Sequence, residues 1–136
     1  DLLIFEVTEC SNFCNAEQAL HILSQLQKMG VRIAIDDFGT GYASYARLKS
    51  VDADILKIDG DFIRNIVNNS LDYQIVASIC HLARMKKMLV VAEYVETEEI
   101  RSAVHALGID YVQGYLIGRP APLESLLETE ASCADA

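Results

Sequence analysis

With 136 residues, 51% of them hydrophobic, the chain is long enough for one domain with a sizeable apolar core. Twenty Asp and Glu against eleven Lys and Arg give a formal charge of −9. That balance argues against a broad grip on a nucleic-acid polymer, but leaves a small anionic ligand open if metal ions sit between it and the carboxylates.

The chain starts at Asp1 without an initiator methionine and enters a strand-like stretch at once, LLIFEVTE at 2–9, the start expected of a piece excised from a longer protein. Asn15 then offers an N-cap to a helix in which Leu20, Leu23 and Leu26 recur at helical spacing, with Lys28 at the negative end and Gly30 as the stop. The second strand, VRIAIDDF at 31–38, runs into two adjacent carboxylates, Asp36 and Asp37, followed by Gly39 and Gly41 and by a short helix expected near 43–49. DILKID at 54–59 reads as the third strand, with another short helix near 62–68.

A longer helix is expected over 71–87, with Ser70 as cap, a face of Ile75, Val76, Ile79, Leu82 and Ala83, and Lys86 and Lys87 closing the last turn. MLVVAEYVE at 88–96 is the fourth strand; Thr97 caps the next helix, with Glu98 and Glu99 in its first turn and Gly108 after its end. DYVQGYL at 110–116 is the fifth strand, and the domain is expected to end at residue 127, with 128–136 as a frayed tail.

No window approaches the roughly 18 uninterrupted apolar residues of a membrane span, and nothing resembles a signal peptide, so a soluble cytoplasmic domain is expected, whether or not the parent is tethered to a membrane. Cys10, Cys14, Cys80 and Cys133 form no CxxC pair, and His21, His81 and His105 are scattered over helices. Reduced or buried thiols are expected rather than a zinc site or a disulfide framework.

Strand and helix in alternation imply a parallel sheet with helical crossovers, and the nearly continuous apolar strands suit a sheet covered on both faces. The choice is between an open doubly wound sheet and a barrel. No GxGxxG or Walker-type loop follows a strand, which weakens the first. Glu6, Asp36, Lys57, Glu93 and Gln113 fall near the C-terminal ends of five different strands, the arrangement of a TIM barrel. At about 250 residues for eight units, the expectation is a partial TIM-like (β/α)8 barrel of about five βα units with outer helices.

Each polar residue also has a bland reading. A strand-end Glu is often solvated, Asp36 and Asp37 suit an Asx turn or a cap, and Lys57 has Asp59 or Glu93 as an ordinary ion-pair partner. Five coincidences at five successive strand ends are harder to accept than one. Converging carboxylates raise one another's pKa values unless a cation neutralises them, and such hard oxygen donors select Mg²⁺ or Mn²⁺. Two ions ~3.5 to 4 Å apart, bridged by a shared carboxylate, would activate a water against a phosphodiester. Lys57 would orient that water or stabilise charge on phosphate oxygens. Gly39 and Gly41 would let the following loop close over substrate, with Tyr42 or Tyr45 packing against it.

EVTE at 6–9, DDFGTGYAS at 36–44, KID at 57–59, EYVE at 93–96 and QGYLIGRP at 113–120 resemble, in order and spacing, the C-terminal half of the EAL-domain family of cyclic di-GMP phosphodiesterases. The resemblance covers roughly residues 2–123. It implies a TIM-like barrel that uses Mg²⁺ or Mn²⁺ to cut cyclic di-GMP into linear pGpG. It also implies Glu6 and Asp36 as ligands of a first metal, Asp36 bridging to a second held by Asp37 and Glu93, and Lys57 contacting the catalytic water. Glu9 would steady the DDFGTGY loop, while Asp59, Glu96 and Gln113 would support the site or bind substrate. Dimerisation through the same loop, giving a homo-oligomer, and fusion to sensory or GGDEF-type domains are further expectations.

Two departures stand out. Tyr94 occupies a position where the family often has glycine, and the glutamate of Glu-Ala-Leu and a metal-binding asparagine are expected upstream of Asp1, so the isolated piece is expected to be an inefficient enzyme. EQAL at 17–20 is no substitute, because Glu17 lies in the first turn of a helix. A degenerate receptor that binds cyclic di-GMP without cutting it is the alternative, and a purely structural half-barrel a third possibility; retention of Asp36, Asp37, Lys57 and Glu93 favours the enzyme.

Overall fold

Five parallel strands form one sheet in simple sequence order: β1 (Ile4–Thr8), β2 (Arg32–Phe38), β3 (Ile55–Ile58), β4 (Leu89–Ala92) and β5 (Tyr111–Val112). The structure is a computed structural model, and it describes residues 3–8, 16–39, 48–122 and 124. Each new strand adds beside the previous one with no reversal of order, as in the wall of a (β/α) barrel and unlike a doubly wound sheet. The partial TIM-like architecture expected from the sequence is what the chain adopts. The tail from 128 and most of the helix expected at 43–49 lie outside the described residues, of which 48–50 are helical.

Among the described residues the helices with defined bounds are α1 (Ala16–Lys28), α2 (Gly60–Asn65), α3 (Ser70–Met85) and α4 (Glu98–Ala106). Alternation in the strands sends Ile33, Ile35, Leu56, Ile58, Val90 and Ala92 into one core with Leu23, Ile63, Val76, Ile79, Ile100 and Val104 of the helices. The intervening residues, among them Glu6, Ala34, Lys57 and Val91, occupy the other side of the sheet, paired Glu6 with Ala34 and Lys57 with Val91. Helix burial thus fixes which residues are free to build a polar site on the opposite face.

Local chemistry moves several boundaries. Asn69, not Ser70, caps α3: its side chain accepts from the amides of Leu71 at 2.9 Å and Asp72 at 3.4 Å, leaving Ser70 as the first helical residue. The short helix expected at 62–68 occupies 60–65, because Asp59 caps it by accepting from the Asp61 amide at 2.7 Å. Thr97 caps α4 as expected, accepting from Ile100 N.

Two aspartates at strand starts perform matching tasks. Asp54 accepts from Ile33 N and Asp110 from Val90 N, each at 2.8 Å, so each ties the beginning of one strand to its predecessor. On the helix side, Arg84 donates to the carbonyls of Leu107 and Gly108, and Lys86 to those of Leu48 and Val51. Cys80 is buried in the core, where burial pushes its thiol pKa up and keeps it an unreactive apolar group. Among the described residues no helix is long and apolar enough to cross a membrane.

Candidate active site

Adjacent residues on a regular strand point to opposite faces, so Asp36 and Asp37 should not share a site. A bulge resolves this. Ile35 pairs with Leu56 and Phe38 with Ile58, so two residues of β2 oppose the single Lys57 of β3. Ile35 and Phe38 are both in the core although three positions apart, and the extra residue is absorbed at Asp37, whose φ is 54°. Aspartate is one of the few residues that adopts this left-handed conformation at modest cost. Carboxylate oxygens of Asp36, Asp37 and Glu93 consequently lie within 4.8 Å of one another.

Lys57 enters the same space from β3. Its Nζ lies 2.8 Å from Glu93 Oε1, 2.9 Å from Asp36 Oδ1 and 3.0 Å from Glu6 Oε1, which joins three strands and the end of a fourth through one ammonium group. Burial opposes the charge on Lys57, but the surrounding carboxylates outweigh it and hold the pKa above its ordinary value of 10.5. The contact with Asp36 is an ion pair without hydrogen-bond alignment: Asp36 Oδ1 is buried and accepts no hydrogen bond. Four carboxylates against one ammonium form an oxygen-rich, excess-negative donor set that fits a hard divalent cation.

A cleft of about 310 Å³ opens beside these groups, lined by Asp37, Glu93, Tyr94, Glu96, Gln113, Gly114 and Tyr115. Glu96 and Gln113 are therefore brought to the site as exposed rim groups, whereas Asp59 is engaged in capping α2. Glu6 reaches the site through Lys57, on the exposed side. Glu9, Gly41, Tyr42 and Tyr45 lie outside the described residues. A larger cleft of about 470 Å³ between α4 and β5, including Arg101, Ser102 and His105, holds none of the convergent carboxylates, so chemistry rather than size selects the first. The family model described as the EAL domain matches residues 1–120.

The chain belongs to the EAL domain family. It is 74% identical over 129 residues to the cyclic di-GMP phosphodiesterase PdeF of Escherichia coli strain K12, covering 94% of this chain and 17% of that protein. The chain thus spans only a small part of the curated relative. Two solved structures superpose well. The PaMucR phosphodiesterase in complex with c-di-GMP has a TM-score of 0.81 at 48% identity, covering 91% of this chain and 50% of that one. The manganese and cy-diGMP complex of Klebsiella pneumoniae BlrP1 has a TM-score of 0.80 at 35% identity, covering 87% of this chain and 30% of that one.

The sequence reading missed three features of this EAL site: the bulge, the placement of Gly114 and Tyr115 in the cleft wall, and the stacking of Arg64 over the Tyr94 ring at 4.0 Å. The odd spacing of Ile35 and Phe38 around Asp-Asp, followed by Gly39 at φ 114°, was the available signal for the first.

Electrostatics gives the metal-free EAL domain a distinctive pH response. Burial raises the Glu93 pKa, as do Asp36 and Asp37, against the lowering influence of Lys57; burial and Asp36 raise that of Asp37. The folded state therefore holds these protons more tightly than the unfolded state. Their stabilising contribution is fully present below the ordinary values of 4.5 and 3.8 and is lost as pH rises through the raised ones. In chelator, the urea midpoint should fall as pH rises through the mildly acidic range, and Glu93→Gln should flatten that slope. A slope unchanged in Glu93→Gln would remove Glu93 from the account.

Proposed function

We propose that the protein carrying this domain is a metal-dependent phosphodiesterase that hydrolyses cyclic di-GMP to linear pGpG. The observation that supports this most strongly is the gathering of the Asp36, Asp37 and Glu93 carboxylates within 4.8 Å of one another beside the Lys57 ammonium. The names of the relatives and the ligands in the superposed structures point to the same substrate.

Mg²⁺ or Mn²⁺ would be held by Glu6 and Asp36 and by Asp37 and Glu93, with Asp36 shared. Bound there, the ions would neutralise phosphate charge and lower the pKa of an attacking water. Lys57, held by its carboxylate partners, would orient that water. Glu96 and Gln113, on the rim of the cleft, would support the site or bind substrate. In the reaction the water oxygen bonds to phosphorus, the bond from phosphorus to the ribose 3′ oxygen breaks, and that oxygen leaves as a hydroxyl.

The full-length protein assayed with Mg²⁺ or Mn²⁺ should convert cyclic di-GMP to pGpG, and chelation or Glu93→Ala should abolish turnover. Tight binding of the dinucleotide without pGpG formation in either metal would replace the enzyme by a receptor.

Self-association belongs to the same proposal. Among the described residues β1 and β5 each pair on one side only, and Leu3, Ile4 and Phe5 are at least half exposed along β1. Light scattering should give a mass above 15.0 kDa for the chain; a monomer at every concentration tested would count against it.

A further inference from the structure

Helix α2 has only six residues, yet it touches both loops that carry the convergent carboxylates. Phe62 packs on Gly39, two residues after Asp37: a Cβ at Gly39 would lie 2.6 Å from Phe62 Cε2. Gly60 lies under the ring of Tyr94, the residue after Glu93: a Cβ there would lie 2.1 Å from Tyr94 Cδ2 and 2.6 Å from Cγ. Arg64, one turn further along the same helix, stacks over the same ring, its guanidinium 4.0 Å from the centroid and itself tied to Asp61 at 3.2 Å. Ile63, fully buried, anchors the helix to the core.

Two features are unfavourable taken singly. Glycine loses more conformational freedom on folding than any other residue, and a tyrosine at φ 55° is strained for a bulky side chain. Together they make sense: the absent side chain at Gly60 is the space the Tyr94 ring occupies. The ring contacts both Gly60 and Arg64, and its residue directly follows Glu93.

We propose that Tyr94 is a positioning residue, and that its seating on Gly60 sets where the Glu93 carboxylate stands relative to Asp36 and Asp37. Helix α2 then acts as a common spacer, with Phe62 against the Asp37 loop and Gly60 against the Glu93 loop. Gly60 and Tyr94 form an obligate pair, in which a side chain at 60 is tolerated only when the ring at 94 is gone. The consequence for metal affinity rests on the reading of these carboxylates as metal ligands; the seating itself does not.

The test is a mutant cycle on the whole chain: wild type, Gly60→Ala, Tyr94→Gly, the double variant, and Gly60→Ala combined with Tyr94→Phe. Two signals are followed. Free Mn²⁺ is titrated by electron paramagnetic resonance, and without metal the NMR signal of the Lys57 ε-methylene reports the position of its partner Glu93, 2.8 Å away. Gly60→Ala should weaken Mn²⁺ binding roughly 10- to 100-fold and shift the Lys57 signal. Adding Tyr94→Gly should return both to the values of Tyr94→Gly alone, while Tyr94→Phe, which keeps the ring, should not rescue. If Gly60→Ala fails to fold, folding of the double variant assigns the clash to the ring. A harmless Gly60→Ala, or a double variant as impaired as the single, overturns the proposal. If the wild type binds no Mn²⁺, the metal reading falls, and the Lys57 signal still decides the positioning.

Discussion

Lys57→Met should destabilise the domain by about 3 kcal/mol or more in chelator, within the range of about 3–5 kcal/mol for removing one partner of a buried ion pair. Methionine fills much of the lysine stem's volume, so the loss isolates the charge. The buried Glu93 and the half-buried Asp36 are left beside each other and beside Asp37 with no cation among them. The pair with Glu6 adds little to this, since Glu6 is 47% exposed and its charge is screened by water. Divalent metal should then stabilise Lys57→Met more than it stabilises the wild type, because the ion takes over the neutralisation the ammonium supplied. Turnover should stay depressed about 10²- to 10³-fold even with metal saturating, the usual consequence of losing one group that stabilises developing charge. Urea melts with and without Mn²⁺, and kcat in the full-length protein, separate the two roles. Equal metal stabilisation of variant and wild type would show that Lys57 is not the counter-ion of the carboxylates.

The sequence carried the parts of this site that depend on regular periods. Leu20, Leu23 and Leu26 mark a helix face, and alternation puts Glu6, Lys57 and Glu93 on the sides of Ile4, Ile55 and Val91, which made the Lys57–Glu93 pair legible; the Glu6–Lys57 contact appears only in the assembled sheet. What escaped depends on departures from period. Asp36 and Asp37 meet on one face through a bulge, which a count of two per repeat does not contain. The pairing of Gly60 with Tyr94 joins residues 34 positions apart, and no local propensity at either position reveals the other. Asp59, singled out as part of KID at 57–59, also caps a helix, a role that depends on the helix starting at the next residue and that only the assembled backbone shows.

Among the described glycines, Gly114→Ala should be the most disruptive. Its Cβ would lie 2.3 Å from the carbonyl oxygen, 2.4 Å from the nitrogen and 2.7 Å from the carbonyl carbon of Val95. All three are backbone atoms, so no rotamer change relieves the contact, and the segments must part. The approach is close because they are hydrogen-bonded: Val95 N donates to Gln113 O at 3.0 Å and Leu116 N to Val95 O at 3.2 Å. Separation breaks these bonds and exposes Val95, which is fully buried. Overpacking a core costs about 1–3 kcal/mol, occasionally more, and a clash with backbone on all sides belongs at the upper end. Gly118→Ala is the control, since a Cβ there meets nothing within 4 Å, and its effect should stay within about 0.5 kcal/mol. The displacement also reaches the chemistry: Val95 lies between Tyr94 and Glu96, two residues after Glu93, and Gln113 precedes the altered position. Gly114→Ala should therefore lower Mn²⁺ affinity as well as the urea midpoint, whereas a loss of stability with metal affinity intact would mean that the cleft wall and the carboxylates move independently.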